Sequence, residues 1–104
     1  MNDKKYKLTY LPLFQNDLLN AVDYISNVLK NPVAANNLID EIENAIKKRL
    51  QAPEAFESYQ SAIERKHIYY RIYVGNYTIF YVVNNDVMEI RRLIYGKRDL
   101  SNLI

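Results

Sequence analysis

The 104-residue chain is 49% hydrophobic and 25% charged, with two glycines and three prolines, which suits one folded domain over residues 1–104 and excludes a collagen-like or low-complexity chain. With no cysteine and a single histidine, His67, a disulfide framework and a Cys/His zinc site are excluded, and no metal or cofactor is expected. The formal charge is +2, but residues 1–64 hold seven Lys/Arg against nine Asp/Glu and residues 65–104 hold seven against three, so the C-terminal half is basic enough to favour a nucleic acid or an acidic protein partner.

Residues 5–10 alternate polar and apolar, which predicts a short strand with Tyr6, Leu8 and Tyr10 on its buried face. Pro12 breaks that strand. From 13 to 30 the apolar positions Phe14, Leu18, Ala21, Val22, Ile25, Val28 and Leu29 step by three and four, the period of an amphipathic helix. Asn31-Pro32 then closes the first helix and opens a second, Asn31 as its N-cap and Pro32 at a first helical position where the missing N–H is not needed. The second helix is expected over about 33–51, with Ala35, Leu38, Ile39, Ile42, Ala45, Ile46 and Leu50 on one stripe and Pro53 stopping it. Residues 52–66 show no period and read as the longest loop.

In the C-terminal half, Ile68, Tyr70, Ile72 and Val74 alternate with Tyr69, Arg71 and Tyr73. Gly75-Asn76 supplies a two-residue turn of the Gly-first kind, and 77–83 follows as an almost wholly apolar strand. Asn84-Asn85-Asp86 makes a second turn, and 87–95 is a third strand ending at Gly96. The predicted class is α+β in the order β-α-α-β-β-β, with a helical hairpin packed on one face of a small, mainly antiparallel twisted sheet. Six of the ten tyrosines fall between 69 and 95, a strand-rich composition and a binding-surface signal together. No apolar run approaches the ~18 residues of a membrane span, and the first residues lack the apolar stretch of a signal peptide, so a cytoplasmic protein is expected.

The segment Tyr70-Arg71-Ile72-Tyr73-Val74-Gly75-Asn76-Tyr77-Thr78-Ile79-Phe80-Tyr81-Val82-Val83, followed by Arg92-Leu93-Ile94-Tyr95-Gly96-Lys97-Arg98-Asp99-Leu100, resembles the RelE/ParE superfamily of bacterial toxins. The resemblance spans nearly the whole chain, including the two-helix insert after the first strand. It implies the toxin half of a type II toxin–antitoxin (plasmid stabilisation) module, neutralised by a cognate antitoxin. Two mechanisms are implied: metal-independent cleavage of messenger RNA on the ribosome, or direct binding and poisoning of DNA gyrase.

Metal-free RNA cleavage needs a base, an acid and cations to hold charge on the phosphate, a role that suits the planar fork of arginine. The RNA-cleaving branch offers cations matching Arg71 and Arg98, a further cation at the position of Thr78, and an aromatic acid/base near the C-terminus. Here Thr78 is neutral and the tail Ser101-Asn102-Leu103-Ile104 holds neither tyrosine nor histidine. His67 is the one side chain that ordinarily titrates near neutral pH, and it equally suits a simple strand opening. Tyr95 stands where many relatives carry His, and Arg92 precedes it by three; Arg92 alternatively forms a structural ion pair with Glu89 or with an Asp of the helical hairpin. Alternation is expected to turn Arg91 and Arg92 to opposite faces.

The reading is therefore a ParE-like toxin directed at gyrase, with Arg71, Arg92, Tyr95 and Arg98 on the functional face. The alternatives are a ribosome-dependent endoribonuclease and a non-toxic relic that only binds antitoxin. An extended antitoxin segment is expected to wrap the domain. Leu100, Leu103 and Ile104 are spaced to share one side of a short helical turn and are expected to contact a partner.

Overall fold

A computed structural model of the chain describes residues 5–58 and 67–96. The elements run β1 (Lys7–Tyr10), α1 (Pro12–Asp23), a π-helical turn (Tyr24–Val28), α2 (Pro32–Leu50), β2 (Tyr70–Val74), β3 (Tyr77–Asn84) and β4 (Val87–Tyr95). This is the predicted β-α-α-β-β-β order. The four strands form one sheet in the order β1-β4-β3-β2. The β2–β3 and β3–β4 pairs are antiparallel, but β1 joins β4 in parallel, Lys7 opposite Val87 and Tyr10 opposite Ile90. The sheet is mixed because the chain leaves β1 through the hairpin and returns from the far edge, so its last strand fills the place beside its first.

β1 is an edge strand and only half fulfils its expected burial. Leu8 packs partly on the core, whereas Tyr10 stays at the surface and stacks on Phe14 with ring centroids 5.5 Å apart. The chain passes directly from strand to helix: the Leu11 N–H donates to the Ile90 carbonyl at 2.9 Å, and Pro12 takes the first helical position, where no N–H is needed.

The first helix does not continue to residue 30 in α form. In the π turn the Leu29 N–H reaches back to the Tyr24 carbonyl, five residues away (3.0 Å), and the Asn31 N–H reaches Ile25 (3.0 Å). The wider turn rotates the end of the predicted stripe outward, so Val28 and Leu29 are more than half exposed. Lys30 takes φ +56° to reverse the chain, and the Asn31 side chain accepts the Ala34 N–H at 3.1 Å, the expected cap of α2.

Ala35, Leu38, Ile42 and Ile46 of α2 are buried with Phe14 of α1 against the sheet. Their partners there include Ile72, Val74, Ile79, Tyr81, Met88 and Ile90. Each such aliphatic or aromatic side chain contributes about 1.5–3 kcal/mol when fully buried. On the other face a second cluster, Tyr69, Phe80, Val82 and Ile94, is also buried, which is why 77–83 reads as continuously apolar. Ile68 does not join its predicted stripe. It is 66% exposed, because pairing with β3 begins only at Tyr70 opposite Tyr81.

Gly75 takes φ +57° in the β2–β3 turn, as a Gly-first turn requires, and Asn85 takes φ +56° in the β3–β4 turn. The β3–β4 pairing slips between Phe80 opposite Arg92 and Tyr81 opposite Ile90, leaving Arg91 as the extra residue of a bulge. Strict alternation therefore breaks between Ile90 and Arg92, while the two arginine side chains still part, Arg91 toward Tyr69 and Arg92 toward Asp17.

Candidate functional site

The helical hairpin and the β2–β3 end of the sheet enclose an open cleft of about 790 Å³. Ile25, Leu38 and Val74 lie along it, with Leu38 and Val74 buried, while Tyr24, Leu29 and Tyr95 border it and are more than half exposed. Tyr77 and Tyr95 meet edge to face at 5.3 Å. Burial, and secondarily the neighbouring Tyr95 and Tyr24 phenols, push the Tyr77 hydroxyl above its ordinary value, so it is a neutral hydrogen-bonding group rather than a base at neutral pH.

Among the described residues, Tyr95 is the one predicted site residue that lines this cleft. Arg92 is held just outside it. Its Nε donates to Asp17 Oδ2 at 2.7 Å and its Nη2 to Asp17 Oδ1 at 3.1 Å, a bidentate pair with both side chains only 16% exposed. The same Oδ2 accepts the Leu93 N–H at 3.0 Å. β1 pairs with β4 only as far as Ile90, so Asp17 takes over as acceptor where the parallel neighbour stops. The hydrogen bond from Arg92 to Asp17 raises the arginine pKa further, with burial opposing. Of the two roles considered for Arg92, the ion pair with an Asp of the hairpin is therefore formed.

Arg71 lies elsewhere. It sits on β2 opposite Phe80, on the sheet face turned from the helices, with its guanidinium carbon 5.5 Å from the Tyr73 ring. Arg71, Phe80 and Arg92 share one rung of the sheet, but Asp17 draws the Arg92 guanidinium toward α1. Arg91 pairs with Glu89 at 3.2 Å and lies over the Tyr69 ring. The described structure thus does not gather Arg71, Arg92 and Tyr95 at one point. Arg98, Leu100, Leu103 and Ile104 lie outside the described residues.

Two further features were not expected from the sequence. Thr78 is 2% exposed, and its Oγ1 donates to the Gly96 carbonyl at 2.8 Å, so it fastens the end of β4 to β3. Arg49, in the last turn of α2, donates from Nη1 to the Arg71 carbonyl (3.1 Å) and the Tyr81 hydroxyl (3.0 Å) while stacking on Phe56 at 3.7 Å. Tyr81 in turn donates to the Pro53 carbonyl at 2.7 Å. Burial raises the Tyr81 pKa despite the lowering effect of Arg49. The sequence signals the placement of Arg49 at a helix C-terminus, but no local pattern links it to residues 22 and 32 positions away.

A small mixed sheet backed on one face by a helical hairpin, with an aromatic cleft at the hairpin end, defines an α+β domain. The family described as "ParE toxin of type II toxin-antitoxin system, parDE" matches residues 8–100, and the chain belongs to that family. Among solved structures, a chain of a chromosomal ParDE TA system from P. aeruginosa superposes with a TM-score of 0.73 at 16% identity, covering 90% of this chain and 99% of that one. Chains of E. coli DinJ-YafQ toxin-antitoxin complexes superpose with TM-scores of 0.58 and 0.54 at 7% and 14% identity, each covering 96% of this chain. At these identities the likeness is one of fold. No curated protein sequence matches the chain at a significant level. Among the described residues, no helix is long and apolar enough to cross a membrane.

Proposed function

We propose that this toxin acts by binding DNA gyrase, rather than by cutting RNA on the ribosome, and that a cognate antitoxin holds it inactive. The observation that carries the choice is Thr78. The resemblance to RNA-cleaving relatives calls for a cation at this position, and here a neutral side chain is buried and bonded to the Gly96 carbonyl. Transition-state charge on a phosphate needs cations aimed at it, yet Arg92 is bound to Asp17. Among the described residues, the cleft that Tyr95 borders is lined by two carboxylates, Asp17 and Glu41, and by no arginine or lysine.

The antitoxin follows from the family and from the complexes in which the similar folds occur. The exposed apolar residues along the hairpin, among them Leu19, Val28 and Val33, supply surface for a segment that orders on binding.

The test is a paired assay on the purified chain: gyrase supercoiling of relaxed plasmid, and cleavage of messenger RNA on programmed ribosomes. Loss of supercoiling with intact message supports the reading. Codon-positioned cleavage with supercoiling untouched replaces it with the endoribonuclease, and inactivity in both assays leaves an antitoxin-binding relic.

A further inference from the structure

Side chains of the helical hairpin reach the edges of the sheet. β2 is an edge strand, because the order is β1-β4-β3-β2. Val74 and Tyr77 flank the two-residue turn as a hydrogen-bonded pair, and such pairs alternate along an antiparallel ladder, so Arg71 and Tyr73 turn their main-chain groups to the outer side. Arg49 arrives on that side from the last turn of α2 and donates to the Arg71 carbonyl at 3.1 Å. Its guanidinium is fixed there twice more. Tyr81 gives its proton to the Pro53 carbonyl and therefore accepts from Arg49 Nη1 at 3.0 Å, and the guanidinium carbon lies 3.7 Å from the centre of the Phe56 ring.

The other side of the sheet shows the same device. β1 pairs with β4 only to Ile90, and beyond it Asp17 of α1 accepts the outward Leu93 N–H at 3.0 Å. β1 itself is four residues long, carries Lys7 and is followed by Pro12, traits that blunt an edge against strand addition.

We propose that Arg49 is an edge guard: by occupying the Arg71 carbonyl it keeps β2 from pairing with the β2 strand of a second copy of this chain. The segment Tyr70–Val74 is self-complementary in an antiparallel register centred on Ile72. On the face toward the helices that register sets Ile72 against itself and Tyr70 against Val74, and on the opposite face it sets Arg71 against Tyr73. Aromatic–aliphatic and cation–π neighbours favour strand pairing, and Arg71 already lies over the Tyr73 ring of its own strand at 5.5 Å. Residues 71 and 73 of the two copies would exchange N–H and C=O groups, so each Arg71 carbonyl is an acceptor that the pairing requires. A strand that displaced Arg49 would also leave a half-buried guanidinium without that acceptor. The guard acts on the sheet edge and is independent of which target the toxin attacks.

The experiment measures the molar mass of the purified chain by light scattering over a concentration series, with thermal melts to verify folding. The wild type is expected to stay at the monomer mass of 12.3 kDa and Arg49→Met to approach twice that mass. Arg49→Gln, too short to keep the contact, takes its place if Arg49→Met fails to fold. Tyr81→Phe controls for lost stability: it gives up the bond to Arg49 but leaves the Arg71 carbonyl occupied, and is expected to remain monomeric. Register is tested in the dimerising background at Tyr73, which is half exposed. Tyr73→Glu would meet Arg71 of the second copy and is expected to lower the dimer dissociation constant by about threefold or more, whereas Tyr73→Lys meets it with like charge and is expected to raise the constant by a similar factor. A wild type that dimerises, a folded Arg49 variant that stays monomeric, equal dimerisation of Tyr81→Phe, or Tyr73 charges of either sign acting alike would each overturn the proposal.

Discussion

Replacing Asp17 with alanine removes the acceptor of three hydrogen bonds at once, two from the Arg92 guanidinium and one from the Leu93 N–H. Hydrogen bonds to charged groups are worth about 1.5–3 kcal/mol each. The full sum does not apply, because the pair keeps some solvent access at 16% exposure and water can partly replace what is lost. A net loss of about 2–4 kcal/mol is expected, a large share of a stability of about 5–15 kcal/mol. For a domain of this size each kcal/mol moves Tm by about 4–8 °C, so Asp17→Ala should melt roughly 8–32 °C below the parent. Asp17→Asn keeps an oxygen for the Leu93 N–H but loses the charge, and should cost about half as much. Circular dichroism melts of both variants and of Arg92→Gln, closed as a double-mutant cycle, give the coupling directly. If Asp17→Ala melted within about 3 °C of the parent, or the cycle showed no coupling, the clamp would be a surface contact and the account of the β4 edge would be wrong.

The hairpin tip predicts two changes of opposite sign. Asn31→Ala should lose about 1 kcal/mol with the cap to Ala34, whereas Lys30→Gly should gain about 0.5–1 kcal/mol by relieving φ +56°; urea midpoints at constant m-value measure both. Tyr81 predicts an alkaline slope. Burial raises its folded pKa above the unfolded value, so its contribution is complete below about pH 10 and is lost as pH climbs toward the folded value. Stability should fall with pH in that range, and Tyr81→Phe should flatten the fall. The same variant gives up the bonds to Arg49 and Pro53 and should cost about 1–3 kcal/mol at neutral pH.

The turns and caps were legible because their chemistry is local. Asn31-Pro32, Gly75-Asn76 and Asn84-Asn85-Asp86 each specify backbone geometry through one or two side chains, and the structure has the helix start and both reversals there. The stripe of α2 was legible for the same reason, since period alone selects Leu38, Ile42 and Ile46. What failed to show was long-range. Nothing in residues 7–10 announces that their partner is 87–90 in parallel register. Periodicity read the first helix as continuous, because a π turn adds one residue to a pattern that remains apolar. The arginines illustrate the limit at the site: Arg92 could be weighed as functional or structural, but its partner Asp17 lies 75 residues away. A bulge at Arg91 also interrupts the two-residue alternation there, a feature that no local pattern announces.

The most direct test of the central claim is to incubate supercoiled plasmid with gyrase and the purified chain, then denature with detergent and protease and resolve the DNA. The account predicts linear plasmid, formed only when gyrase and the chain are both present and suppressed by a cognate antitoxin. Plasmid that stays intact while the same preparation cuts ribosome-bound message would contradict it.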